Sequence, residues 1–149
     1  MNYTKAKSLT RILAVDYGEV RIGLALSDIM QIIAKPYKTL HNTSDDKVFD
    51  TLNNIISEKT VGKILVGYPL TLKNSISIQT EKVNEFIEKL NNKLSVPILK
   101  YDERLTSISA KRSLVLQGIN TGKNKGDVDM TAAAIFLQNY LDENSVISE

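Results

Sequence analysis

The apolar positions of this chain change period several times, and each change marks an element. Residues 11–17 hold an unbroken apolar run, Ile12, Leu13, Ala14 and Val15, between Arg11 and Asp16. A run this short, without polar alternation, predicts a strand covered on both faces. Gly18 then predicts a turn. Residues 22–27 and 32–40 read as two more strands, with Ser27-Asp28 as the second turn. Connections this short imply antiparallel neighbours. From Asp45 the period lengthens. Val48, Leu52, Ile55 and Ile56 recur at helical spacing, so 45–58 is predicted helical, with Ser44 as its N-cap. Residues 63–67 return to a short buried strand that stops at Gly67-Tyr68-Pro69, where regular pairing is hard to continue.

Beyond a loop through Leu72-Lys73-Asn74-Ser75, Val83, Phe86, Ile87 and Leu90 form the apolar stripe of a second helix, read as core. Residues 96–101 are predicted as a strand begun by Pro97, running directly into Asp102-Glu103-Arg104. A third helix is expected over 107–117, stopped by Gly118. A glycine-lysine loop at 121–126 leads to a last helix at 127–141, where Ala132-Ala133-Ala134 permits close packing. The order is three strands, helix, strand, helix, strand, helix, helix. Later strands that alternate with helices should be parallel, joined by right-handed crossovers. The expected class is therefore α/β: a mixed five-stranded sheet, its first three strands antiparallel and the later ones parallel, flanked by helices. Residues 1–10 are expected to be a flexible N-terminal segment, 11–141 one domain and 142–149 a frayed tail.

Composition narrows the chemistry. A chain of 149 residues with 42% apolar content can build one genuine core. The net charge of +2 is too small to diagnose nucleic-acid binding, so any basic surface must come from clustering. There are no cysteines, which excludes disulfides, thiolate metal sites and cysteine nucleophiles. The single His41 leaves no material for a histidine triad or a histidine-rich metal site. What remains is carboxylate chemistry, which suits hard cations such as Mg2+ or Mn2+ rather than zinc. No apolar run is long enough to span a bilayer, and residues 1–10 lack the apolar core of a signal peptide. A cytoplasmic protein without a membrane partner is expected.

Three acidic sites fall at element ends: Asp16, the pair Asp102-Glu103, and Asp127/Asp129. Ligands of parallel sheets gather at the carboxyl ends of the strands. Asp16 and the pair would both lie there, and the last helix could bring Asp129 to the same edge. Three such carboxylates would surround one or two divalent ions, and two ions about 4 Å apart can stabilise both oxygens of a phosphodiester displacement. Each has a plainer role too. Asp16 could simply shape its turn. Asp127 reads as a helix N-cap, and Asp129 is favoured in a first helical turn by the helix dipole. Strand alternation sends Asp102 and Glu103 to opposite faces, so one of the two points inward. Glu103 is preferred for its reach, and Asp102 remains open as ligand or as partner of Arg104. Arg21, Arg104, Lys111, Arg112, Lys123 and Lys125 are the candidate phosphate contacts. Thr121-Gly122-Lys123 lacks the spacing of a P-loop, and Ser107 and Ser109 have no histidine partner in sequence.

Four motifs occur in a familiar order: Asp16-Tyr-Gly-x-x-Arg21-Ile-Gly23, Val66-Gly-Tyr-Pro69, Asp102-Glu-Arg104-Leu-Thr106 and Val128-Asp129-x-x-Ala132-Ala133. In these the chain resembles the YqgF/RuvX family, over nearly its whole length. That resemblance implies a ribonuclease H-like fold. It also implies either of two activities, Holliday junction resolution or nuclease maturation of the 5′ end of 16S ribosomal RNA. The family's acidic site maps onto Asp16, Glu103 and Asp129. Family members often carry glycine after the Gly-x-Pro motif, whereas this chain has Leu72-Lys-Asn-Ser-Ile-Ser77.

The leading expectation is thus a metal-dependent endonuclease, a hydrolase acting on ester bonds of structured RNA, with the ribosomal small-subunit precursor as substrate. A resolvase of branched DNA would use the same chemistry, but paired cuts in a two-fold junction call for a homodimer. A non-catalytic RNA-binding assembly factor would keep the carboxylates as structural groups. A nucleotide phosphohydrolase of the actin-like superfamily ranks last, because this chain lacks a second lobe to close over ATP.

Overall fold

A computed structural model of the chain describes residues 9–68, 78–103 and 125–144. The elements run β1 (Arg11–Asp16), β2 (Arg21–Ser27), β3 (Ala34–His41), α1 (Asp45–Lys59), β4 (Val61–Tyr68), α2 (Ile78–Lys93), β5 (Ile98–Asp102) and α3 (Lys125–Glu143). The five strands form one sheet in the order β3-β2-β1-β4-β5. β2 pairs antiparallel with β1 and with β3, while β4 pairs parallel with β1 and with β5. The mixed sheet expected from element order is present, and β1 sits at its centre.

Period-two alternation divides the core in two. Leu13 and Val15 join Ile22, Leu24, Ile64 and Val66 on one face, beneath Leu52 and Ile55 of α1 and Phe86 and Leu90 of α2. Ile12 and Ala14 join Ala25, Leu65 and Tyr101 on the other, beneath Ala133, Phe136 and Leu137 of α3. All four apolar residues of β1 are at most 1% exposed, as a strand covered on both sides requires. Ser44 caps α1 as expected, its hydroxyl accepting from the Lys47 amide at 3.3 Å, with Asp45 and Asp46 in the first turn.

Of the boundaries that differ from the sequence reading, those of β3, β5 and α3 have a visible reason. β3 begins at Ala34, because the Asp28 carboxylate accepts backbone N–H from Met30, Ile32 and Ile33 and holds 29–33 in a turn. Gln138 of α3 secures that turn, accepting from the Ala34 amide and donating to the Ile32 carbonyl, both at 2.9 Å. β5 begins at Ile98, since Pro97 has no N–H and contributes only its carbonyl, which accepts from Ile64 at 2.9 Å. α3 begins at Lys125, so Asp127 is the third residue inside the helix and not its N-cap. The helix dipole still favours an acid there. It also runs to Glu143, two residues past the expected end. The helix expected at 107–117, its stop at Gly118 and the start of the glycine-lysine loop lie outside the described residues.

Candidate active site

Strand alternation decides which groups meet at the carboxyl edge of the sheet. Ile12 and Ala14 face α3, so Asp16 at the end of β1 follows them. Leu65 faces α3, so Gly67 near the end of β4 does too. Tyr101 faces α3, and Glu103, two residues on, continues the same side just past β5. Asp102 falls on the opposite parity. Asp16, Gly67 and Glu103 therefore lie on one face, at the carboxyl ends of three neighbouring parallel strands.

The contacts agree with that count. Glu103 and Asp16 are joined by a side-chain hydrogen bond. A Cβ on Gly67 would lie 3.0 Å from the Glu103 carboxyl carbon and 2.8 Å from Cε2 of Phe136. Glycine is thus what lets the carboxyl and the ring close over β4. In the sequence pattern Gly67 reads only as a strand terminator. The usable signal was a glycine inside an otherwise apolar strand, which marks close approach of another group. Burial pushes the Glu103 carboxyl above its usual value. The Asp16 hydrogen bond pulls the other way, and the nearby charge of Asp102 adds to the rise. A hydrogen bond between two carboxyl groups needs a proton between them.

α3 carries the third candidate acid. Phe136 packs at Gly67, while Tyr140, four residues on, accepts from Lys63 Nζ at 3.2 Å, four residues earlier in β4. The helix therefore runs antiparallel to β4, and its N-terminal turns extend toward the edge that carries Asp16 and Glu103. Asp129 precedes Ala133 by four residues and Phe136 by seven, so the three share a helix face. Its backbone lies about 10 Å further along the axis than that of Phe136. The Asp129 side chain is outside the described residues, and among those residues no three acidic or histidine side chains form a metal cradle.

Two supports keep this edge in shape. The Tyr101 hydroxyl donates to Glu143 Oε1 at 2.8 Å and accepts from Asn139 Nδ2. The Tyr101 ring stacks on Phe136 with centroids 6.0 Å apart. Burial, first of all, pushes the phenol up to about 12. These bonds tie the strand ahead of Glu103 to the helix that carries Asp129, and nothing in the sequence pattern announced them. At the other flank, a Cβ on Gly18 would lie 2.3 Å from the Arg21 carbonyl oxygen, and Asn42 Nδ2 donates to the Gly18 carbonyl at 2.9 Å. The turn is therefore tight. Arg21 shares parity with Gly23, the partner of Asp16, so it sits at the same edge and on the same face. Arg104, Lys111, Arg112 and Lys123 lie outside the described residues, and Lys125 is placed only as the first residue of α3.

A mixed sheet of this order, covered by helices on both faces and with two carboxyls meeting at the ends of its first and last strands, is a ribonuclease H-like nuclease scaffold. Solved structures share it. The chain is similar to Thermus thermophilus RuvC in complex with a Holliday junction substrate, with a TM-score of 0.61 at 11% identity over 90% of this chain and 94% of that one. It is also similar to the yeast mitochondrial Holliday junction resolvase Ydc2, with a TM-score of 0.59 at 11% identity over 93% of this chain and 80% of that one. Identities this low establish the fold. Closer relatives carry the name "Putative pre-16S rRNA nuclease". One from Thermoanaerobacter pseudethanolicus is 40% identical over 133 residues, 89% of this chain and 96% of the relative. One from Desulforamulus reducens is 38% identical over 135 residues, 91% of this chain and 98% of the relative. The family described as RuvX, Holliday junction resolvase, matches residues 10–143, and the chain belongs to it. Among the described residues no helix is long and apolar enough to cross a membrane.

Proposed function

We propose that this protein is a divalent-cation-dependent endonuclease of the cytoplasm that processes the 5′ end of the 16S ribosomal RNA precursor. The observation that carries the reading is the meeting of Asp16 and Glu103 over Gly67, at the edge toward which α3 directs Asp129. The names of the close relatives supply the substrate class. The donor set is all oxygen and self-repelling when ionised, and that fits Mg2+ or Mn2+, as one ion or two. Asp16, Glu103 and Asp129 would hold the cation. When bound, it supplies Lewis-acid stabilisation of the charge that develops on the phosphoryl oxygens.

The chain's own residues do the rest. The Asp16–Glu103 pair gives up the proton of its hydrogen bond as the site fills, since the ionised carboxylates are the ligands. Gly67 keeps β4 from crowding the pair. Arg21 binds a backbone phosphate beside the reacting one and fixes the strand against the edge. Arg104, Lys111, Arg112, Lys123 and Lys125 are the further phosphate contacts of this reading. Resolution of four-way DNA junctions is the second reading, favoured by the description of the matching family. It requires a homodimer, so that two sites cut symmetrically.

The deciding experiment incubates purified protein with a pre-16S RNA fragment and, separately, with a synthetic four-way DNA junction. Each runs with Mg2+, with Mn2+ and with EDTA, beside Asp16→Asn. Metal-dependent cutting of RNA alone, abolished in Asp16→Asn, is the expected result. Symmetric cutting of the junction alone replaces it with the resolvase reading. Binding of RNA without cleavage makes the protein an assembly factor, and full activity in Asp16→Asn overturns the site.

A further inference from the structure

The face of the sheet under α1 opens, at the end away from the acidic pair, into a cleft of about 410 Å3. Leu26 of β2 forms its floor. Three cations converge on it from separate elements: Arg11 from the start of β1, Lys35 from β3 and Lys59 from the last turn of α1. Tyr37 forms a wall, and Lys59 Nζ lies 5.7 Å from the centre of its ring. Lys38, next along β3, reaches the same ring at 5.2 Å. Asp28 is the one acid in the lining, and its two oxygens already accept the amides of Met30, Ile32 and Ile33. Three cations around an apolar floor, facing one committed carboxylate, make a receptor for an anion.

We infer that this cleft is a phosphate-binding subsite for a flanking strand of the nucleic-acid substrate, well away from the bond that is cut. The inference rests on the nuclease reading and extends it. β1 runs from Arg11 at the cleft to Asp16 at the acidic pair, five residue steps or about 17 Å. At about 3.4 Å per step of one strand, roughly five nucleotides is therefore the shortest reach that could join the two. The cleft and the acidic pair open on opposite faces, so the strand would pass around the β3 edge of the sheet. That edge suits a polyanion and repels a β-strand. It carries exposed Lys35 and Lys38, and Pro36 interrupts its hydrogen-bonding row. At the far end β3 closes with His41 paired to Arg21, beside the acidic pair. A basic line thus connects cleavage edge and cleft. Contacts of this kind give affinity and register without choosing bases.

The test compares Asp16→Asn with the same protein carrying Lys35→Gln and Lys59→Gln. Anisotropy of a labelled pre-16S RNA fragment is followed over a salt series, and circular dichroism melts confirm the fold. The expected result is roughly tenfold weaker binding, with the salt slope smaller by about 1.4 for two single-strand phosphate contacts. In the cleavage-competent background KM should rise about tenfold with kcat unchanged. The effect should vanish on a substrate trimmed to fewer than about five nucleotides either side of the cut. Lys35→Arg with Lys59→Arg should bind as the parent does. Unchanged affinity and slope, equal weakening on the trimmed substrate, or an arginine pair as weak as the glutamine pair each overturn the subsite. Cleavage without dependence on these lysines sinks the subsite alone. Lysine-dependent binding without any cleavage sinks the nuclease reading alone, and absence of RNA binding in the parent sinks both.

Discussion

Gly67 and Glu103 carry the sharpest predictions at the scale of single residues. A methyl group at position 67 would press on the Glu103 carboxyl carbon at 3.0 Å and on Phe136 at 2.8 Å. Phe136 is buried and its ring has little room to retreat, so the carboxyl is the group that moves. Gly67→Ala should remain folded, lose about 1–3 kcal/mol to overpacking, and cut at least tenfold more slowly. A urea melt and a single-turnover assay measure the two effects, and an alanine variant with full activity would show that close approach is not needed. Glu103 predicts a pH effect of definite sign. Burial raises its carboxyl above the ordinary 4.5 in the folded protein only. Between the ordinary and the raised value the folded state therefore holds more protons than the unfolded one, and stability falls as pH rises through that window. The contribution is complete below the ordinary value and gone above the folded one. Cation-free Glu103→Gln should lose this downward slope of Tm with pH. An unaltered slope would mean that Glu103 ionises freely.

Among the elements, the joint between β5 and α3 matters most, because it sets Glu103 against the helix that carries Asp129. Tyr101→Phe keeps the ring stacked on Phe136 but leaves buried Asn139 without its hydroxyl partner. The expected cost is about 1–2 kcal/mol of stability. Catalysis should weaken beyond that cost, measured as a lower kcat on RNA at a temperature where the variant is fully folded. Unchanged kcat would reduce the network to a structural fastening. The same joint explains a boundary that sequence pattern misjudged. α3 runs to Glu143 because its last turn is held by Tyr101, a contact between residues 42 positions apart that local propensity does not contain.

At the scale of the whole molecule, strand ends that are remote in sequence share one charged edge, so the fold and a cation should be thermodynamically linked. A ligand that binds only the folded state adds about 2.7 kcal/mol at a hundred times its Kd. Saturating Mg2+ or Mn2+ should therefore raise Tm by several degrees in the wild type and leave Asp16→Asn unmoved. An equal rise in both would assign the stabilisation to ions elsewhere on the surface.

Among the described residues the element types and the sheet plan were legible from the chain alone, because period two and period 3.6 are local properties of apolar spacing. Residues 12–15 read as a doubly covered strand and Ser44 with the acids after it as a helix start, and both are present. The candidate acids were legible as residues at strand ends, and strand alternation already said that Asp102 and Glu103 part company. Which of them meets Asp16 was not, since that depends on how β5 registers against β4 and on the side that α3 covers. The role of Gly67, the Tyr101–Asn139–Glu143 network and the cleft at Arg11, Lys35 and Lys59 were equally hidden. Each joins residues that chain order keeps far apart, and only packing of the sheet between its helices brings them within reach.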